Sequence, residues 1–585
     1  MIMDACQRFD PELPEGTRSI SRTDISGVNQ HPSCLLNLLL ALQHVFVQCS
    51  LLVLVLGVLQ QHLLLQDGER ARLLSSMLFY SSLSSLIQSC LGTCLPLIQA
   101  PSLEILIPAV VLTAQIVTEP ACRGHCGESE EEILPRANPV RELQGMTVMV
   151  GMVQLVLGVT GLSGVVLRHC GPLVIAPLLC LLGFSIYREA ALLCSDHWAI
   201  AALTVILLVF LSQHLHSYLL PACLSMPQLP VCRMLSVLLP LLSVWALCAV
   251  LESFGGVHLH SVSELLPVLK TSNTSLSVPS SSDHTSFTVP WLSPPMAAET
   301  GLPLLSVRGM AAGVVAALSS SVSSVGMYLL TARLLGAPPP PAAACNRGLG
   351  AQGLGSVVAG LMGAPLGLSC SVPNACTLGL SQSGSRWTVQ LTAILGLALG
   401  VSPRLTQLIT SVPLAIYGAI LSVTYTIAVA TGVRYFQFTH IDSGRNIFNI
   451  GLAVFMSLVL PHWFRMQTSF IDTGMVSVDV LLQSLLTSPV LLVGILAFLL
   501  DNTVSGSPSE RGLDSAEMQK RGCASVNSDP GHHQEVSPGS ITRKYHQEVA
   551  LVYESPYLLR RLWRLPGFRA APFSACRIAD DGDIL

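Results

Sequence analysis

The residues best suited to bind a small solute lie in segment 369–386, SCSVPNACTLGLSQSGSR, inside a very hydrophobic chain. Pro373, Asn374 and a series of hydroxyl residues that includes Ser381 interrupt an apolar stretch of only one span's length. An asparagine amide offers two N–H donors and a carbonyl acceptor. Non-helical backbone at membrane depth is tolerated only where it is buried in protein or lines a cavity. The segment therefore predicts a broken membrane helix whose polar groups form a substrate site.

A second interruption lies in the apolar stretch 95–117, where Pro101, Ser102 and Glu104 occur close together. An ionisable group at membrane depth is costly and is a functional candidate by default. We expect Ser102 and Glu104 to bind substrate, sodium or a proton. Alternatively, Glu104 faces water near one end of the span, or it is held by the dipole of a helix terminus.

The composition excludes an ordinary soluble enzyme. Of the 585 residues, 51% are hydrophobic and only 11% are charged, against about 25% charged in a typical soluble domain. The sequence contains no HExxH motif and no P-loop, and no cysteine pair has CxxC spacing. We therefore expect no catalytic residues, metal site or bound cofactor. No basic segment interleaved with aromatic residues supports a nucleic-acid partner.

Apolar stretches long enough to cross a bilayer recur along the chain and predict an all-α polytopic membrane protein with about fourteen transmembrane helices. Seven precede the polar segment 252–303 and seven follow it. A repeat unit with an odd number of spans is inverted in its second copy, so a 7+7 inverted repeat is predicted. The third and tenth spans are both broken by prolines, which places the substrate site between them. The stretches are 36–59, 73–91, 95–117, 146–167, 172–187, 199–220, 234–251, 305–335, 349–364, 366–380, 388–401, 405–433, 447–460 and 480–500.

These stretches divide the chain into an N-terminal segment 1–35, a first repeat 36–251, a loop 252–303, a second repeat 304–500 and a tail 501–585. Arg333 and Arg347 follow the eighth span and the tail is rich in arginine, so the positive-inside rule puts both termini in the cytoplasm. Loop 252–303 then lies outside the cell, where Asn273 carries a glycosylation motif. The tail's polar composition predicts that it is mostly disordered.

The acidic outer loop between the third and fourth spans holds Cys122 and Cys126. A disulfide between them and two free thiols remain equal alternatives. An extracellular, glycosylated loop also indicates a plasma-membrane protein.

Four motifs resemble the nucleobase–ascorbate transporter family, and in particular its vertebrate sodium-dependent ascorbate branch. They are Gln43-His44 in the first span, LIQSCLGTCLP across the second and third, ARLLGAPPPP after the eighth, and VPNACTLGLSQSGSR in the tenth. The resemblance covers about residues 36–500. It implies fourteen spans in a core and a gate domain, short strands in the broken spans, a homodimer, and secondary-active uptake driven by sodium or protons.

The tenth span matches the family's pattern only in part. Relatives carry an acidic residue, Gln or Pro, then N-x-G-x-x-x-x-T and a basic residue or Gly. Pro373 and Asn374 match, and Ser381 keeps the hydroxyl of the threonine. Cys376 replaces the glycine and Gln382 replaces the base. A cysteine adds bulk where glycine allows close backbone approach, unless the surroundings repack locally.

The eighth span departs further from its relatives, whose pattern resembles E-S-I-G-D-Y. Ser323 stands at the position expected to bind substrate, and Met327 stands at the position expected to help coordinate sodium. The loss of both carboxylates suggests altered coupling. Cys94 also replaces a basic residue that relatives often carry before a Leu-Pro pair.

The resemblance further implies that some polar residues support the site rather than form it. His44 is expected to position the tenth-span loop together with Gln43, and Gln382 is expected to stabilise the end of that segment. Gln88 in the second span is a buried polar group that needs partners.

We therefore expect a sodium-linked transporter of a small planar solute. Because no Lys or Arg lies inside the predicted site, a neutral purine such as hypoxanthine or xanthine is slightly favoured over the ascorbate anion. The alternative is a non-transporting relative that acts as a sensor or assembly partner, because Ser323, Met327 and Cys376 depart together. An anion exchanger of this architecture is disfavoured, since its folded C-terminal domain has no counterpart in this chain.

Overall fold

The computed structural model describes residues 28, 32–63, 67–118, 139–215, 230–254, 291–292, 301–467, 470–507, 510–512, 547 and 549–553. Asn273, Cys122 and Cys126 lie outside these residues. Within them the protein is helical, with one two-stranded sheet.

The first half consists of helices and one short strand. These are α1 (Cys34–His62), α2 (Asp67–Cys90), β1 (Gln99–Ala100), α3 (Leu103–Thr118), α4 (Pro139–Thr160), α5 (Leu162–Arg168), α6 (Pro172–Phe184), α7 (Tyr187–Cys194), α8 (Trp198–Val209), a π-helical turn (Phe210–His214), α9 (Val231–Met234) and α10 (Leu238–Ser253).

The second half has a similar order of elements. Its strand again interrupts the third predicted span of that half, which is the tenth of the chain. Its elements are α11 (Val307–Leu334), α12 (Ala342–Leu361), β2 (Ser369–Cys370), α13 (Val372–Ser381), α14 (Arg386–Val401), α15 (Pro403–Thr410), α16 (Leu414–Tyr435), a 3₁₀ turn (Phe436–Phe438), α17 (Gly444–Met466), α18 (Val476–Thr487) and α19 (Pro489–Thr503). Pro403 and Pro489 begin helices after bends of 106° and 75°, because proline cannot continue a helix without losing a backbone hydrogen bond.

Among the described helices, six are long and apolar enough to cross a membrane, and there are up to eight if each sharply bent pair is one span. Three shorter apolar helices accompany them. The prediction of an all-helical, multi-pass membrane protein is thus confirmed, while the figure of about fourteen spans stays a prediction.

The two predicted breaks meet each other. β1 pairs antiparallel with β2, with Gln99 opposite Cys370 and Ala100 opposite Ser369. The backbone N–H of Ser371 extends the pairing by donating to the Ile98 carbonyl at 2.9 Å. All four strand residues are buried. Each break therefore satisfies the backbone groups of the other, as a non-helical segment away from water requires.

The helices pack in two groups. In one group α4 lies along α12, and α14 lies along α2 and α1; in the other, α16 and α19 lie along α6. The resemblance implies a core and a gate domain, and the assignment of these groups to them stays a prediction. α11 and α13 contact both groups, through α4 and α1 on one side and α19 and α16 on the other. The broken spans therefore lie where the groups meet.

Helices α4 and α12 approach closely because both carry glycines at their contact. A Cβ atom added at Gly151 would lie 2.5 Å from the Val357 backbone nitrogen, and one at Gly158 would lie 2.5 Å from that of Gly350. Small residues let membrane helices come this close and gain dispersion contacts that larger side chains prevent.

We predict that Gly151→Ala lowers the thermal midpoint of the purified protein, because overpacking a close contact costs about 1–3 kcal/mol. The matched control is Gly451→Ala in α17, where an added Cβ meets nothing within 4 Å. The control should be neutral or slightly stabilising, since alanine favours helix. Equal midpoints for the two variants would contradict the described contact.

Candidate functional site

Two half-helices begin beside the strand pair. α3 starts at Leu103, three residues after β1 ends, and α13 starts at Val372, two residues after β2 ends. The first N–H groups of a helix have no partner within it and carry partial positive charge. Pro373 lies in the first turn of α13, where its missing N–H costs nothing. The site thus has two helix N-termini directed at one region.

Glu104 lies in the first turn of α3 and is only 3% exposed. Its carboxylate faces the hydroxyls of Ser102 and of Ser323 on α11. Glu104 Oε2 and both hydroxyl oxygens are buried and form no hydrogen bond of normal geometry with the described residues. Leaving buried polar atoms unpaired costs about 1–3 kcal/mol each. The three oxygens are therefore suited to a ligand that donates hydrogen bonds or carries positive charge.

Ser319 extends this group of oxygens. It precedes Ser323 by four residues on α11, so the two side chains lie on one face of the helix. The Ser319 hydroxyl is also buried and without a hydrogen-bond partner in the described structure. Ser319 is not among the residues predicted from the sequence, although its i, i+4 spacing from Ser323 in the run SSSVSS is a usable signal.

A narrow cavity opens onto Glu104 and Ser319. It reaches two helix breaks of the second group: Ser185 at the end of α6 and Ser488 between α18 and α19. The described residues that line it include no Lys or Arg; they are Leu103, Glu104, Ile107, Ser185, Ser319, Ser488, Pro489 and Val490. The only charged group at the cavity among these residues is therefore a carboxylate.

Asn374 is held in place by the first span. Its Nδ2 donates to Ser371 Oγ at 2.9 Å, which leaves its Oδ1 as the acceptor for His44 Nδ1 at 3.2 Å. This assignment puts the His44 proton on Nδ1 and leaves Nε2, which is buried and unpartnered in the described structure, as an acceptor. The structure thus brings His44 to the start of α13.

Gln43 and Gln88 make long-range contacts of their own. Gln43 Oε1 accepts from the backbone N–H groups of Val237 and Leu238, at 3.3 and 3.0 Å, at the beginning of α10. Its Nε2 donates to the Met234 carbonyl. Gln88 Nε2 donates to Thr93 Oγ1 and to Tyr328 Oη. Both glutamines therefore connect helices around the site and do not line its cavity.

Several predicted residues are not brought to Glu104. Ser381 ends α13, seven residues and about 10 Å beyond Asn374, and its hydroxyl donates to the Thr377 carbonyl at 2.9 Å. Gln382 is exposed and ends the helix with a positive φ of 48°. Ser381 and Gln382 thus lie at the far end of the half-helix.

The other replaced family positions are filled by packed side chains. Met327 and Cys376 are both 0% exposed, and Cys376 lies near the backbone of Ala428 in α16. Cys94 is buried with φ at 61° and accepts a contact from Arg347 Nη2 at 3.9 Å. Arg347, which lies on α12, therefore reaches the position where relatives often carry a base.

A second polar group joins the two strands. Gln99 Nε2 donates to Cys370 Sγ at 3.3 Å across the pair, and the Gln99 backbone N–H donates to Ser85 Oγ at 2.7 Å. Gln48 on α1 donates to the Gln99 carbonyl. The sequence analysis missed this network, although each member is a polar residue in an apolar span. No cluster of three or more His, Cys, Asp or Glu in the described part of the chain could hold a metal ion.

Comparison with known proteins assigns the chain to a family. Residues 36–466 match the family described as Permease family. The chain is 41% identical over 530 residues to Solute carrier family 23 member 3 of Mus musculus, covering 86% of this chain and 82% of that protein. The chain belongs to the nucleobase–ascorbate transporter family. It is therefore a multi-pass membrane transporter of a small molecule.

Other members of the nucleobase–ascorbate transporter family are more distant. Solute carrier family 23 member 1 of Mus musculus is 33% identical over 480 residues, which cover 78% of this chain and 76% of that protein. Nucleobase-ascorbate transporter 1 of Arabidopsis thaliana is 28% identical over 454 residues, which cover 76% and 83%. The family match over residues 36–466 contains the strand pair, both half-helices, Glu104 and the serines of α11, whereas Ser488, Pro489 and Val490 of the cavity lie beyond it.

We predict that His44→Ala destabilises the protein by about 1–3 kcal/mol, because it leaves Asn374 Oδ1 buried without a donor. The thermal midpoint of the purified protein measures this loss. His62→Ala is the matched control, since His62 lies in the last turn of the same helix. If the two variants melt together, the contact between His44 and Asn374 contributes nothing measurable.

Proposed function

We propose that this chain is a sodium-dependent secondary transporter of a small, neutral, planar solute, and that a purine base is preferred over ascorbate. The observation that carries this proposal is the buried carboxylate of Glu104, which faces the Ser102 and Ser323 hydroxyls and also lines a narrow cavity whose described lining includes no basic residue. We also propose a plasma-membrane homodimer that has cytoplasmic termini and a glycosylated Asn273.

Glu104 compensates for the carboxylate missing at position 323. Relatives are expected to present an acidic group from the eighth span, where this chain has Ser323. The Glu104 carboxylate comes from the third span and faces the Ser323 hydroxyl, so negative charge returns to the same place from the opposite helix.

The donors and acceptors suit an uncharged heterocycle. A carboxylate accepts N–H donors through both oxygens, and hydroxyl groups both donate and accept. Hydrogen bonds to an ionised acceptor are stronger than those between neutral groups. An N–H group on the edge of a purine, such as N1–H of hypoxanthine, could therefore be bound by Glu104, while Ser319 and Ser323 bind ring carbonyl or nitrogen acceptors.

The same charge disfavours ascorbate, which is an anion at neutral pH. Two like charges about 4 Å apart repel by about 4 kcal/mol at an effective dielectric constant of 20. Bound sodium would offset part of this repulsion, but the described lining of the cavity offers no basic side chain to pair with the anion itself. Met327 offers no oxygen ligand, so the hard oxygen ligands that sodium requires would come from Glu104 and the hydroxyls of Ser102, Ser319 and Ser323. Sodium coupling is therefore assigned to this group of oxygens.

The first experiment measures uptake of labelled hypoxanthine, uracil and ascorbate, with and without sodium, in cells that lack endogenous carriers. We expect saturable hypoxanthine uptake that requires sodium. Sodium-dependent ascorbate uptake without nucleobase uptake would overturn the substrate preference. Specific binding without saturable uptake of any compound would favour the non-transporting alternative, which the packed side chains of Met327 and Cys376 motivate.

We predict that Glu104→Gln reduces uptake at least about a hundredfold, because losing a hydrogen-bonded buried charge costs about 3 kcal/mol or more. Glu252→Gln, which removes an exposed carboxylate at the end of α10, is the matched control. The double variant with Glu104→Ser and Ser323→Glu should recover part of the uptake, because it moves the carboxylate back to α11. Unchanged uptake by Glu104→Gln at equal surface amount would exclude the assigned role.

A further inference from the structure

A short part of the C-terminal tail is packed against the transmembrane domain. Residues 549–553 are helical, and Val549, Val552 and Tyr553 are 1%, 1% and 0% exposed. Leu551 on the other side of this turn is 64% exposed. The sequence predicts a mostly disordered tail and does not anticipate this segment, although VALVY is an apolar run within a polar region. We name residues 549–553 the C-terminal strap.

The strap is held by three hydrogen bonds at its end. Tyr553 Oη donates to the Pro338 carbonyl at 2.7 Å. Arg347 Nη2 donates to the Tyr553 carbonyl at 2.7 Å, and Arg386 donates to the Val552 carbonyl. Charged donors make such hydrogen bonds stronger than neutral ones.

These two arginines also lie beside the segments that adjoin the two broken spans. Arg347 Nε donates to the Gly92 carbonyl at 2.5 Å, in the loop that leads from α2 to β1. Arg386 is the first residue of α14 and follows α13 after four residues. The strap therefore joins the loop before the third-span break to the segment after the tenth-span half-helix, on the side of the membrane that carries the tail.

The positive charges of Arg347 and Arg386 make the contact between these two segments depend on the strap. Arg347 and Arg386 lie close enough for their like charges to interact, and Arg347 is 4% exposed. Arg347 Nη1 and Arg386 Nε already lack hydrogen-bond partners in the described structure. If the strap leaves, both guanidinium groups lose a carbonyl acceptor while the repulsion between them remains. The surrounding loops should then open to water.

We propose that this surface, formed by Pro338, Arg347, Arg386 and the Gly92 loop, is a docking site for the chain's own C-terminal strap, and that docking restrains both broken spans together. The strand pair couples the third and tenth spans inside the protein. The docked strap is a second connection, between the ends of these two spans. The fraction of molecules in which the strap is docked controls how freely these ends move. The inference is independent of which solute is transported.

Hydrogen–deuterium exchange of the full-length protein in lipid nanodiscs tests the proposal. Tyr553→Ala should speed amide exchange in residues 91–98 and 382–388 by at least about tenfold, the factor that corresponds to about 1.4 kcal/mol. Exchange in α17, which takes no part in the three hydrogen bonds that hold the strap, should stay unchanged. Leu551→Ala is the matched control, because it alters the exposed side of the same turn.

Two further samples keep the test decisive. Tyr553→Phe retains the ring but loses the bond to Pro338, so it should speed exchange in both regions by a smaller factor and serves if Tyr553→Ala does not fold. A synthetic peptide of residues 545–556 should restore slow exchange when added to Tyr553→Ala. The proposal is overturned if folded Tyr553 variants exchange like the wild type in both regions, if only one region responds, or if Leu551→Ala has the same effect.

Discussion

The structure depends on one constraint: a chain that leaves the helical conformation inside a membrane protein must still satisfy its backbone N–H and C=O groups. Here two breaks solve the problem together, because β1 pairs with β2. The pairing brings the third and tenth spans to one place and turns two helix N-termini toward it. The His44 contact to Asn374 and the Gln48 contact to Gln99 attach the first span to the same pair.

The chemistry of the site follows from what this framework surrounds. The chain lacks both carboxylates that its relatives are expected to carry on the eighth span, and Met327 is fully buried. Glu104 supplies a carboxylate from the facing half-helix and lies against Ser323. The site thus keeps a carboxylate but presents it from a different helix, and the proposed substrate preference rests on this feature.

Particular residues show how far sequence reasoning reached. Prolines and polar residues in short apolar stretches located both breaks, because such residues are costly inside a membrane span unless protein surrounds them. The same reasoning grouped Ser381 and Gln382 with the site, but α13 carries them about two turns away from Asn374. It missed Ser319, and it missed the strap because one apolar run in a polar tail has no partner that spacing alone can identify.

The amino-acid sequence by itself determined the membrane class, the helical architecture, the two broken spans and the family, because each depends on hydrophobic length, proline position and local motifs. Tertiary structure alone decided that Glu104 faces Ser323, that Gln43 caps α10, and that Tyr553 reaches Pro338. These contacts join residues separated by about two hundred positions, and their partners are chosen by packing between helices. A carboxylate's depth and neighbours, which determine its function, are set by that packing and not by its place in the chain.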